Sequence, residues 1–481
     1  MEFNIFEQDG HDRSEQYPSR LKYEQLPPEW QGHTRQKQFN AFLEESWKNR
    51  TMFYDDDDVS SKQQYVYFRD GGISAGQYVG TICYGGHILN IFPKVFKGAA
   101  NAFDMSQLTD NLAIWLSYCD KNKFHFLNND SQLRGRKLWT LFIPLYIRHV
   151  KKVIERHPFY QYEDQTQNLS TVRGRINFSD YATRKIPYGQ NHKFLCQYSS
   201  FEFDNRLNRL IKCVCRMLFA YATSEDRRII NRIVTYLNDV SDVHCTAADC
   251  DAIHLDWAHR DYEMIVSMSR MFLLNRSFGY EQGRNKAYCF LFPMDKIFEG
   301  FVAGIVKQYV EECCVGGRVH SQANDVNFAD SVSVESDSGV VHSFGSMFNL
   351  REDIYVTTDA ERYVLDTKNK RLDSFESIVK RDDISSEISM SDLRQIKEYA
   401  LKRELDTMGG KACLLYPMDM SEGAHSTVTF VKLRSNVHHS NASNYVDIHL
   451  VRVPFAIENS ASNLAETLKK RIYVVLNKVF K

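Results

Sequence analysis

The stretch Arg362-Tyr363-Val364-Leu365-Asp366-Thr367-Lys368-Asn369-Lys370 constrains this chain more than any other. Its apolar residues form a strand, and that strand ends in Asp-x-Lys. Side chains alternate along a strand, so residues two apart share a face. Asp366 and Lys368 are therefore expected to point to the same side, with Lys370 joining them if the strand continues. A second β-like segment, Met347 to Val356, carries Asp353. If the two segments are neighbours, Asp353 comes close to Asp366.

Two converging carboxylates make a hard-oxygen site suited to Mg²⁺. Phosphodiester hydrolysis needs such a site: the metal polarises the phosphoryl oxygen, lowers the pKa of bound water and steadies the leaving oxygen. Lys368 can orient the attacking water or neutralise developing charge. Glu299 lies in the helical run Met294 to Val302 and can add a third carboxylate. Gln395 and Tyr399 sit four apart on one face of a helix expected over 392–404, where they can orient a metal-bound water or contact a phosphate. The expected metal ligands are Asp353, Asp366 and Glu299; Lys368, Gln395 and Tyr399 complete the catalytic set. Each member is weak alone: Asp-x-Lys is common at strand ends, Glu299 suits a solvated helix, Asp353 suits a turn. The ordered set of helix Glu, strand Asp, strand Asp-x-Lys and helix Gln-x-x-x-Tyr is more specific.

The chain has 481 residues, too many for one core, and two to four domains are expected. An α+β multidomain chain is read in three parts. Residues 1–165 are β-rich and helical, 166–285 mostly helical, and 286–481 an α/β domain around a mixed central sheet. Residues 34–50 read as a helix with Phe39, Phe42, Leu43 and Trp47 on one face. Three β-rich segments fill 64–96, and the Gly-rich tip Asp70 to Gly76 suits a plain hairpin or a flexible finger. Within 173–193, Arg173, Arg175, Arg184, Lys185 and Lys193 face a single acid, Asp180, which reads equally as a phosphate-contacting strip or a solvated face. Arg206, Arg209 and Lys212 recur at spacing three along a helix over 204–237. The acidic run Asp55 to Asp58 reads as a solvated loop, and 371–391 as a polar insertion.

Charge bears on how such a chain could hold DNA. The 60 basic and 61 acidic residues leave a net charge of -1, which argues against a protein that grips DNA by itself. The 11 Cys show no framework spacing, the first ten residues do not resemble a signal peptide, and no apolar stretch approaches the roughly 20 residues of a membrane span. A cytoplasmic protein with reduced thiols and no membrane contact is expected. His244, Cys245, Cys250 and His254 form a loose cluster whose spacing is not a standard zinc site, so a structural loop is expected there. No G-x-x-x-x-G-K-[ST] occurs, so no P-loop binds a nucleotide on this chain.

At these residues the chain resembles the McrC family, the nuclease subunit of McrBC-type modification-dependent restriction systems. Tyr78-Val79-Gly80 and Ile91-Phe92-Pro93-Lys94 look like its "YVG … I-x-P-K" pattern, and Val172 to Phe178 its "L-x-G-x-I-D-F" signature. Asp204 to Lys212 is similar to its "N-R-L-L-K" helix and Pro293 to Glu299 to its "P-M-x-x-L-F-E" start. Asp366 to Lys370 resembles "D-x-K-Y-K", Gln395 to Tyr399 "Q-x-x-x-Y", and Leu414 to Pro417 "L-x-Y-P". The resemblance implies a PD-(D/E)xK restriction-endonuclease-like C-terminal domain that cleaves double-stranded, modified DNA with Mg²⁺. It also implies a McrB-like AAA+ GTPase hexamer as partner, binding the GTP itself, with the N-terminal domain here docking into the ring and stimulating hydrolysis. The tip at 70–76 is the candidate finger. Two positions depart from the family: Glu352 stands where Pro is usual and Asn369 where Tyr is usual, and alternation points both away from the site. Rival readings are a non-catalytic activator of a partner NTPase with a vestigial nuclease fold, and a DNA-repair nuclease.

Overall fold

The computed structural model describes residues 1–8, 19–48, 62–97, 105–119, 142–277, 288–329, 332–335, 341–344, 347–359, 361–372, 388–420, 430–436, 445–458 and 464–480. The acidic run Asp55 to Asp58 and most of the 371–391 insertion lie outside them. Two compact units form: one joins Met1–Leu138 to Cys289–Lys481, the other is Trp139–Tyr288. These divisions differ from the boundaries read from sequence, after 165 and after 285.

The first unit is built on a six-stranded mixed sheet. Its members are β11 (Arg318–Ala329), β14 (Met347–Thr357), β15 (Arg362–Thr367), β16 (Gly410–Met418), β17 (Phe430–Asn436) and β18 (Tyr445–Pro454), in the order β11-β14-β15-β16-β18-β17. β14 and β15 are antiparallel, whereas β15 and β16 are parallel. A parallel neighbour needs a crossover, and the helix α9 (Met390–Lys402) lies between β15 and β16 in the chain. Val364, Leu414 and Tyr416 pack with Ile396, Tyr399 and Ala400 of that helix. Tyr363 alternates to the other face and meets Phe480, just past α10 (Leu464–Val479). β16 is buried along Cys413 to Met418, as an interior parallel strand covered on both faces must be. A small hairpin, β12 (Val332–Glu335) with β13 (Val341–Phe344), precedes β14.

The N-terminal residues make two sheets in the same unit. One runs β1 (Glu2–Phe6), β6 (His87–Phe92), β5 (Tyr78–Tyr84), β10 (Tyr288–Pro293); the other runs β2 (Arg20–Leu21), β4 (Gly72–Ala75), β3 (Val66–Arg69). Helix α1 (His33–Lys48) buries Phe39, Leu43 and Trp47, the apolar face read from sequence. The tip at 70–76 is a tight hairpin rather than an extended finger. Asp70 (φ 48) and Gly71 (φ 71) are both left-handed, the requirement of a two-residue type I′ turn. Arg20 reaches Asp70 at 3.0 Å, Gln36 donates to the Gly71 carbonyl at 2.7 Å, and Ile73 is fully buried.

β10 belongs to the N-terminal sheet, yet it runs without a break into α8 (Met294–Cys313). The helix that carries Glu299 is thus anchored by that sheet. Its opposite side meets α2 (Met105–Tyr118), whose Trp115 stacks on Phe455 at 4.2 Å. α2 and α8 approach closely through Gly300 and Gly304, four apart on α8. A Cβ at Gly304 would lie 1.8 Å from the Tyr118 carbonyl oxygen.

Among its described residues the second unit holds the helices α3 (Phe142–Arg156), α4 (Arg206–Leu218), α5 (Ser224–Tyr236), α6 (Ala247–Asp251) and α7 (Glu263–Ser277). Pro144 sits in the first turn of α3, where its missing N–H costs no hydrogen bond. The basic row on α4 is divided: Arg206 is exposed, Arg209 half-buried and Lys212 buried. Lys212 is buried and donates to the Val240 carbonyl at 2.5 Å, and Arg209 holds Asp204 at 2.7 Å. Asn205 caps α4, and Asn205 and Asn208 both donate to Phe159 O, so this motif is structural. A three-stranded sheet of β7 (Gln161–Leu169), β9 (Phe194–Glu202) and β8 (Arg175–Ile176) completes the unit. It leaves large side chains in solvent, Tyr162 at 71% and Phe201 at 58% exposure. Arg173 lies 4.4 Å over the Tyr198 ring, and Arg175, Arg184 and Lys193 are exposed. Among the described residues no helix is long and apolar enough to cross a membrane.

Gly304→Ala should therefore destabilise the first unit. Overpacking against backbone costs about 1–3 kcal/mol or more, and a thermal melt should fall by several degrees, whereas Glu311→Ala, at an exposed position of the same helix, should change it little.

Candidate active site

The antiparallel pairing of β14 and β15 sets the site. Ile354 faces Leu365, so one step further along the same register Asp353 faces Asp366. Residues directly opposite share a face of the sheet. The Asp353 Oδ2 also accepts from the Thr367 backbone N–H and hydroxyl, each at 2.6 Å, which fixes that carboxylate at the strand end. Lys368 keeps the alternation because its N–H still pairs to Leu415 O on β16, at 2.9 Å. Its Nζ lies 2.7 Å from Asp366 Oδ2.

A hydrogen-bonded chain holds this lysine. Lys368 Nζ donates to Gln395 Oε1 at 3.0 Å, Gln395 Nε2 donates to the Tyr399 hydroxyl at 2.7 Å, and that hydroxyl donates to Arg351 O at 3.0 Å. The i,i+4 pair on α9 therefore bridges β15 to β14. Through this chain the two residues hold the Lys368 ammonium in place.

Glu299 approaches from α8. Gln322 Nε2 donates to its Oε1 at 2.7 Å, and Lys296 lies 3.6 Å from its Oε2. Its charge reaches both strand carboxylates. Asp353 is pushed up to about 7, by burial first, then by Asp366 and Glu299, against the pull of its Thr367 bonds. Asp366 is raised by burial, which Lys368 opposes and the charges of Asp392 and Glu299 reinforce. Burial would lower the Lys368 pKa, but Asp366 and Asp353 raise it on balance. Two acids that resist ionising together mark a place where positive charge is wanted. Among the described residues no group of three or more His, Cys, Asp or Glu is arranged to hold a metal. Mg²⁺ ordinarily takes one or two carboxylates and completes its shell with water and phosphate oxygens, and the Asp353–Asp366 pair fits that pattern.

Several residues escaped the sequence reading. Glu352, expected to point outward, is fully buried and accepts from Arg403 Nε at 2.9 and 3.1 Å. Arg403 also stacks 4.0 Å over Tyr355. Asn369, likewise expected outside, has both amide atoms buried with no hydrogen-bond partner among the described residues. Lys370 does not join the strand row: its N–H turns back to Lys368 O, and its ammonium meets Asp392 on α9 at 2.5 Å. Gln322 stands beside a bulge in β11 with φ 51, a left-handed backbone rare outside glycine. Cys245 and Cys250 are buried while His244 and His254 are exposed, so that cluster does not converge on a metal.

The comparisons with known proteins follow the same lines. The family described as McrBC 5-methylcytosine restriction system component matches residues 73–417. No curated protein matches the chain. Among solved structures, a refined half-complex from a tetradecameric assembly of Thermococcus gammatolerans McrB AAA+ hexamers with bound McrC is similar at 16% identity. The alignment covers 100% of both chains with a TM-score of 0.53, a likeness of fold. A cryo-EM structure of the Thermococcus gammatolerans McrBC complex aligns over 64% of this chain and 88% of that chain at 17% identity, with a TM-score of 0.36.

The raised Asp353 leaves a mark on stability. Its pKa is 3.8 when free and about 7 in the fold, so between those values the folded chain binds the extra proton and stability falls as pH rises. The metal-free protein should lose several degrees of melting temperature between about pH 4 and pH 7, and Asp353→Asn should flatten that fall. Parallel curves for the two proteins by scanning calorimetry would refute the coupling.

Proposed function

The chain belongs to the family of McrBC 5-methylcytosine restriction system components, and from that premise we propose that it is the McrC-type nuclease subunit, a Mg²⁺-dependent endodeoxyribonuclease of the PD-(D/E)xK type. The observation that carries this reading is the Asp353–Asp366 pair across β14 and β15 with Lys368 held beside it. The other kind of component, an AAA+ ring subunit, needs a phosphate-cradling loop, and no G-x-x-x-x-G-K-[ST] occurs in the sequence.

Asp353 and Asp366 are the metal ligands in this reading, with Glu299 as auxiliary. Bound Mg²⁺ supplies a Lewis acid for the phosphoryl oxygen and a lowered pKa for the attacking water. Lys368, partly buried beside the acids and charged, stands ready to orient that water or to offset charge developing on phosphorus-bound oxygen. Gln395 and Tyr399 keep its ammonium on the Asp366 side. Gln322 holds the Glu299 carboxylate toward the pair.

The partner is a McrB-like AAA+ GTPase hexamer, which binds GTP and moves double-stranded, modified DNA. A further docking element, beside the hairpin at 70–76 named from sequence, is the β7-β9-β8 sheet of the second unit. Tyr162 and Phe201 form an exposed aromatic contact at 4.9 Å, and Phe178 and Tyr188 are exposed at 70% and 77%. Large apolar groups clustered in solvent mark an interaction surface.

Plasmid cleavage tests the chemistry. Wild type with Mg²⁺, partner and GTP should cut; Asp366→Ala should not, and Lys368→Ala should lose about 10²–10³-fold. Mg²⁺ should raise the melting temperature of wild type but not of Asp366→Ala. Equal cutting by wild type and Asp366→Ala would sink the catalytic assignment of this site; no cutting by either, with GTP turnover still stimulated, would leave an activator of the NTPase. Separately, Tyr162→Ser with Phe201→Ser should abolish stimulation of partner GTP hydrolysis while leaving the melting temperature unchanged. Retained stimulation would remove the sheet from the interface.

A further inference from the structure

The second unit carries a concentrated positive face that the catalytic reading does not use. Helix α3 buries Ile143, Tyr146, Ile147, Val150 and Ile154. Its other side repeats Arg148, Lys151, Lys152 and Arg156 at helical spacings of three and four. These four cations form one wall of a cleft of about 460 Å³, and Glu225 and Ile229 of α5 line the other. Arg228 and Arg232, both exposed, follow Glu225 and Ile229 on the same stripe of α5. Six cations therefore meet two acids, Glu225 and Glu155, the latter 3.8 Å from Lys151. The chain as a whole carries a net charge of -1, so this excess is a local concentration and not a background of the composition.

We propose that the α3–α5 cleft is a non-catalytic DNA site that takes consecutive backbone phosphates of a duplex without reading its bases. The inference rests on the reading that DNA is this chain's substrate. Like charges crowded on one helix face repel, and an anion in a concave cleft relieves that repulsion with field lines focused on it. From Arg148 to Arg156 the helix advances about 12 Å, the length of three to four base steps at about 3.4 Å each. Among the described residues no aromatic ring lines the cleft, so they offer no platform for stacking a base or a free nucleotide. Lysine and arginine on flexible stems fit phosphates whose positions shift as DNA is moved.

The test is salt-dependent binding of a short, unmodified fluorescent duplex to the full-length chain, read by anisotropy between about 50 and 200 mM salt. Lys151→Gln with Lys152→Gln removes two contacts. The slope of log affinity against log salt should shrink by about 1.8, at about 0.9 per phosphate, with binding at the lowest salt at least tenfold weaker. Arg228→Gln with Arg232→Gln, on the other helix, should act in the same direction, so a folding defect in one variant does not decide the matter. An unchanged slope in both, or no duplex binding by wild type, overturns the site. So does loss of AAA+ ring binding with an unchanged DNA slope, which would give the face to the protein partner. Asp366→Ala should keep the wild-type slope. A reduced slope in the cleft variants alongside undiminished cleavage by Asp366→Ala would leave the DNA site standing and remove Asp366 from the cleavage site.

Discussion

Two carboxylates held opposite each other at the end of an antiparallel strand pair are the constraint from which the rest of the site follows. Asp353 and Asp366 cannot both ionise comfortably when partly or wholly shut from water. The fold sets a cation beside them in the Lys368 ammonium, 2.7 Å from Asp366, and fixes Asp353 with two donors from Thr367. A protein selected for stability alone would place apolar residues at these positions. The raised Asp353 is the cost of holding a site ready for positive charge.

The surroundings are arranged to keep that pair in register. Beside Asp353, Glu352 and Arg403 form a buried ion pair, and Arg403 lies over the Tyr355 ring. Breaking one member of such a pair leaves an uncompensated charge in the interior, so β14 and the end of α9 are tied together. Tyr399 makes a second tie, from α9 to Arg351 O. From the other side, α8 brings Glu299 on a helix that continues directly from a strand of the N-terminal sheet. That sheet is therefore part of the scaffold of the site, and residues far apart in sequence act as one body.

What could be read from sequence was what depends on local periodicity. Alternation placed Asp366 and Lys368 on one face, the i,i+4 rule paired Gln395 with Tyr399, and the apolar face of α1 was legible in Phe39, Leu43 and Trp47. What escaped depends on neighbours. Alternation sent Glu352 outward, but a sheet covered on both faces has no outward side, and Arg403 supplied the partner that lets a carboxylate stay inside. Gln322 gave no signal, because a bulge and a left-handed backbone at glutamine arise from the pairing of β11 with β14 and not from its own propensity. β10 was assigned with the C-terminal domain by its position in the chain, whereas sheet membership is decided by hydrogen bonding to β5. The tip at 70–76 had the glycines of a flexible loop. Those glycines instead serve a tight turn whose strand buries Ile73.

The neutral charge of the chain takes on a different meaning once its parts are separated. On the reading proposed above, carboxylates without a bound cation would repel the phosphates of DNA, so affinity for DNA would not reside at the Asp353–Asp366 pair. It has to come from positive charge elsewhere, and a total of -1 conceals such charge only if it is segregated. The structure shows segregation of this kind: acids gathered where β14 meets the end of β15, cations gathered on α3 and α5. Phosphate contacts position DNA without selecting sequence, which suits a subunit whose partner supplies recognition. Net charge therefore speaks about whether a protein binds nucleic acid everywhere on its surface, and not about whether it binds it anywhere.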